Sequence, residues 1–101
     1  MHLKKIPRKD FESINREDFW YDHFEKSEEL FYWRKKYDIH EWFHINTSIY
    51  EECSDEITKE KLGELIIWLT QKGLTEYAEK IKEIVNKIDF VNNVVFYDYC
   101  N

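Results

Sequence analysis

His40-Glu41-Trp42-Phe43-His44 spells H-E-x-x-H. Residues four apart share a helix face, so two imidazoles at this spacing can hold one zinc ion while the glutamate activates a zinc-bound water. Glu64, twenty residues beyond His44, stands at a spacing where a third ligand can follow. Three features weigh against hydrolysis. A pattern with three fixed positions arises readily by chance in a chain this rich in Glu and aromatics. Glu64 projects away from the apolar stripe Leu62, Leu65, Ile66, Leu69, hence toward water. A chain of 101 residues leaves little material for a substrate cleft. The preferred reading is a pair of histidines on a semi-polar helix face, with no catalysis, cofactor or metal; were zinc bound, His40, His44 and Glu64 would be its ligands.

Other catalytic patterns are missing. Two glycines cannot build a phosphate-cradling loop, and no G-x-S-x-G elbow is present. Cys53 has Glu51, Glu52 and Asp55 around it, and nearby negative charge raises a thiol pKa, the wrong direction for a nucleophile. A second constellation points to binding instead. Trp33, Tyr37 and His40 fall on one side of a helical projection with Arg34 flanking them. Aromatic planes beside a cation can stack a nucleobase and hydrogen-bond a phosphate, and the basic N-terminus could add charge.

The elements that must position these residues follow from periodicity. Ser27–Asn46 reads as one central helix, capped by Ser27 and led by Glu28 and Glu29. It is apolar on two sides: Tyr32, Ile39 and Phe43 on one, with Phe31 and Trp42 flanking, and Leu30, Trp33, Tyr37, His40 and His44 on the other. Residues 16–26, with Phe19, Trp20, Tyr21 and Phe24, suggest a short helix before it, and 47–57 an acidic loop after it. Thr58 caps a helix bearing the stripe of Leu62, Leu65, Ile66 and Leu69, with Trp68 lying off that stripe; Gly73 stops it. Thr75 caps the next helix, whose apolar face is Tyr77, Ala78, Ile81, Ile84, Val85 and Ile88. The short link at 72–74 makes these two helices antiparallel neighbours. After the Asn92-Asn93 turn signal, Val94–Tyr99 is β-branched and aromatic, a terminal strand that needs a partner in Leu3–Ile6 or in a second copy of the chain. The expected fold is therefore mainly α: one domain over 1–101, with a basic arm at 1–15, a helical body at 16–90 containing the aromatic helix and the αα-hairpin, and a short C-terminal β-strand at 91–101.

Composition sets the class of partner. Hydrophobic content of 43% with 18% aromatics excludes disorder. No apolar run approaches a membrane span and no leader-like segment follows the first basic residues, so a cytoplasmic protein is expected, with Cys53 and Cys100 read as free thiols and a single bridge between them as the alternative. The net charge is −6. Lys4, Lys5, Arg8 and Lys9 lie among the first nine residues; setting them aside leaves eleven basic side chains against 21 acids, a net of −10. Such a body disfavours duplex DNA, because phosphate neutralisation dominates that binding, and suits a protein with a basic surface. An exposed terminal strand would also allow a homodimer by edge pairing.

Tyr32-Trp33-Arg34-Lys35, then Ile39-His40, Trp42 and Phe43, resembles the Y-W-R-K-x-x-x-I-H-x-W-F signature of small bacteriophage proteins. In that signature the positions of Glu41 and His44 are open. The resemblance implies a phage or prophage origin and a binding role in counter-defence. The expected function is an acidic, non-catalytic inhibitor of a basic host protein such as a nuclease. Sequestration of a nucleotide immune messenger through Trp33, Arg34, Tyr37 and His40 is the first alternative, and a small zinc hydrolase the second.

Overall fold

Val94-Val95-Phe96-Tyr97 is a continuous apolar run, and a strand of that kind is stable only when both its faces are covered. The computed structural model, which describes residues 2–13, 27–34, 37–47 and 56–98, supplies both covers. Its elements in chain order are strand β1 (His2–Pro7), helix α1 (Arg8–Ser13), strand β2 (Glu28–Tyr32), helices α2 (Tyr37–Asn46), α3 (Lys59–Gln71) and α4 (Thr75–Lys87), and strand β3 (Asn93–Asp98). The strands form an antiparallel sheet in the order β2-β1-β3. On one face Leu3, Val95 and Tyr97 join a core with Ile39, Phe43, Leu62, Leu65, Leu69 and Ile81 from the helices. On the other, Ile6, Val94 and Phe96 pack with Phe11 of α1.

The expectation of a mainly helical domain with one short strand is thus corrected to a mixed α/β fold in which helix still predominates. The error lies in Ser27–Asn46, which is not one helix. Glu28–Tyr32 is a strand, and the helix begins at Tyr37. The two apolar sides of the single-helix projection signalled this. Alternation sends Phe31 and Trp33 inward and leaves Tyr32 44% exposed, while α2 carries one stripe of Ile39, Trp42 and Phe43. Ser27 leads into the strand and caps nothing. Leu30 is the extra residue of a bulge, since Leu3 faces Phe31 and Lys4 faces Glu29.

β3 has its partner in β1, paired from His2↔Asp98 to Pro7↔Asn93. Its other side takes a bridge from Glu56, and the Ile57 N–H donates to Val95 O at 2.7 Å. Glu56 and Ile57 thus cover part of the outer side of β3, which is an edge strand of the sheet. Arg8 ties this corner together. Its guanidinium donates to both Glu56 carboxylate oxygens at 3.1 and 2.8 Å, and to the carbonyls of Phe90 and Val91 at 2.8 and 3.0 Å. The Glu56 carboxylate holds the Arg8 pKa above its ordinary value.

The αα-hairpin forms as its sequence signals require. Thr58 accepts from Lys61 N at 3.2 Å. Gly73 adopts φ +78°, and the Gly73 and Leu74 N–H groups donate to Thr70 O and Leu69 O at 3.1 and 2.9 Å, closing α3 in a Schellman turn. The N-cap of α4 is Leu74, one residue before the expected Thr75. The turn into β3 is built on Asp89, which accepts from Val91 N, Asn92 N and Asn92 Nδ2. The side-chain bond from Asn92, chiefly, lowers the Asp89 pKa. No helix among the described residues is long and apolar enough to cross a membrane. The short helix expected at 16–26, most of the 47–57 loop, Cys53 and Cys100 lie outside the described residues.

Candidate functional site

Trp33, Arg34, Tyr37 and His40 do not assemble into one ligand site. Trp33 follows β2 directly and is 4% exposed. Its ring stacks near Tyr97 at 5.8 Å and Phe43 at 6.4 Å, and those two stack on each other at 4.1 Å. The indole is a wall of the core and cannot offer a face to a nucleobase without opening it. Arg34 and Tyr37 are exposed where the chain enters α2. His40 turns back to the core, with Nδ1 2.8 Å from Tyr97 Oη. Burial, then the charge of His44, lowers the His40 pKa, so the imidazole is neutral at pH 7. What unites Trp33 and His40 is a shared contact with buried Tyr97.

His40, His44 and Glu64 are also not brought together. Glu64 pairs with Lys61 at 3.1 Å on the exposed side of α3, and His44 is exposed at the end of α2. Among the described residues, no three His, Cys, Asp or Glu side chains are grouped as metal ligands would be. Three of the four basic N-terminal residues meet acids within the fold: Lys4 pairs with buried Asp98 at 2.9 Å, Lys5 with Glu28 at 3.3 Å and Arg8 with Glu56; His2 pairs with Glu29, and Lys9 is exposed. These contacts absorb charge that a phosphate ligand would otherwise use.

A groove of about 500 Å³ lies instead between β2 and α4. Phe31, Tyr32 and Tyr77 form its aromatic floor with buried Trp33 at its base, while Glu76, Glu79, Glu83 and Lys80 of α4 line its rim. The floor is preformed, since Phe31 packs against Trp33 at 5.3 Å and Tyr77 at 5.6 Å. The sequence analysis named the aromatic residues Phe31, Tyr32, Trp33 and Tyr77 but missed the glutamates. Glu76, Glu79 and Glu83 recur at i, i+3, i+7 beside Tyr77, a legible acidic stripe, but placing 27–46 in one helix hid its neighbour β2.

No family model, curated protein or solved structure matches the chain. What the groove can do therefore rests on its chemistry. Its rim is predominantly negative and its floor is aromatic, a surface that suits Arg and Lys side chains, whose stems cover apolar area while their heads reach carboxylates. The rim's internal pairs, Lys82–Glu79 at 3.3 Å and Lys80–Glu83 at 3.9 Å, are exposed, and pairs of this kind contribute only about 0.2–0.5 kcal/mol. A basic partner can displace them at little cost.

Proposed function

We propose that the protein is a non-catalytic binding protein that docks a basic protein in the groove between β2 and α4 and inhibits that partner by covering its surface. The observation that supports this reading best is the coincidence of an aromatic floor with three glutamates in one concavity. The acidic body, net −6 overall, adds long-range attraction for a basic partner. The phage counter-defence setting, with a host protein such as a nuclease as the target and the host cytosol as the compartment, rests on the resemblance of Tyr32–Phe43 to the bacteriophage signature. Nucleotide sequestration has less support, because Trp33 lies in the core and leaves only Tyr37 and Arg34 of its proposed site exposed.

The test compares the wild-type protein with a Glu79→Lys/Glu83→Lys variant, each immobilised and exposed to bacterial lysate at low and high salt. A basic protein held by the wild type, released by salt and lost with the variant is the expected outcome. Equal retention by both proteins would contradict the groove as the docking surface.

A further inference from the structure

The two edges of the sheet differ. Among the described residues β2 pairs with β1 alone, and none of Glu28–Tyr32 is buried. β3, the opposite edge, is buried from Val94 to Asp98 and takes the bridge from Glu56. The groove lies along the more open edge. Phe31 sides with Leu3 and the helices, whereas Tyr32 sides with His2 on the other face of the sheet, their rings 4.7 Å apart. Both nevertheless line the same concavity. Successive strand residues point to opposite faces, so a cavity that meets both lies beside the strand and not over one face. β1 fills one side of β2, which places the groove on the other. There the outward N–H and C=O groups of an edge strand offer a template for a further strand.

We infer that the partner's docking segment binds as an extended strand added to the edge of β2, with basic residues at alternate positions; this rests on the proposed docking of a basic protein in the same groove. Main-chain hydrogen bonds to β2 supply affinity, and every second side chain supplies specificity. Side chains on one face of such a strand repeat about every 6.8 Å. Glu79 and Glu83, one turn apart on α4, are offset by about 6 Å along the helix axis. Successive basic side chains can therefore meet successive carboxylates, with their stems on Phe31 and Tyr77. A second copy of the chain suits this edge less well. Each copy carries a net charge of −6, and pairing two β2 strands would bring two acidic rims together.

The experiment titrates the intact protein with three peptides in which Arg alternates with Thr: one unmodified, one N-methylated on the backbone at every Arg, and one N-methylated at every Thr. All three carry the same charges. In an added strand the N–H groups of alternate residues point to β2 and the rest to solvent, so only one set is needed for pairing. The unmodified peptide should bind and slow hydrogen exchange at the outward amides of β2. One methylated peptide should bind within about threefold of it, and the other at least about tenfold more weakly through lost main-chain hydrogen bonds. Equal affinity of the two methylated peptides would overturn the strand pairing; the docking reading would survive that result if the Glu79→Lys/Glu83→Lys variant still lost the unmodified peptide. An unmodified peptide that fails to bind would overturn both. A protein that sediments as a dimer, with its outward β2 amides protected before any peptide is added, would overturn the proposal in favour of a second copy.

Discussion

Tyr97 is where the ring contacts of Trp33, Phe43 and His40 meet, at 1% exposure. The residue types around it were legible as aromatic clusters, but their role was not: the same Trp33 serves equally well as a stacking platform or as core until its depth is known. That depth sets a direct expectation. Trp33→Ala should destabilise the protein by about 3–5 kcal/mol in denaturant unfolding, the range for deleting a buried large aromatic. A loss under about 1 kcal/mol would mean that the indole is not core. His40 gives a pH dependence of definite sign. Its folded pKa lies below the ordinary 6.5. As pH falls, the unfolded chain takes up this proton first. The site's stabilisation is therefore complete above pH 6.5 and is lost as pH falls from there through the folded value. Thermal melts should show a drop in midpoint between pH 7.5 and 5.5, and His40→Gln should shrink it; an unchanged difference would show that other groups carry the effect.

At the scale of elements, the hairpin was legible because its signals are local. Thr58, the leucine stripe and Gly73 each act within one turn of the residues they govern. Gly73→Ala puts a side chain at φ +78° and should cost about 1–2 kcal/mol, measured by chemical denaturation. The space around Gly73 is open, so the cost is conformational and a clash adds nothing. β2 was illegible for the opposite reason. Phe31 and Trp33 are inward because β1 lies alongside, and β1 is far away in sequence. Local propensity alone does not separate E-E-L-F-Y as a helical turn from the same residues as a strand. β3 could be read because β-branched residues and the Asn92-Asn93 turn mark it locally, and its need for a neighbour followed from the instability of a lone strand. The Arg8–Glu56 contact joins α1 to the segment before α3. Arg8→Lys keeps the charge and loses the two-pronged contact, so it should recover only part of the stability lost in Arg8→Ala.

For the whole molecule, the net charge could be read from composition, but the place where it acts could not. Glutamates are spread over the chain, and only the fold sets Glu76, Glu79 and Glu83 beside Phe31, Tyr32 and Tyr77. Lys4 and Arg8 of the N-terminal segment are paired with Asp98 and Glu56, which neutralises cations that the sequence places near the N-terminus. The central claim, that the groove between β2 and α4 receives a basic partner, is tested most directly by an NMR titration of the isotope-labelled protein with an extended arginine-rich peptide. Shift changes should concentrate in Phe31–Trp33 and Glu76–Glu83, fade with added salt, and vanish in the Glu79→Lys/Glu83→Lys variant. Changes spread evenly over all exposed acids, or surviving intact in that variant, would contradict it.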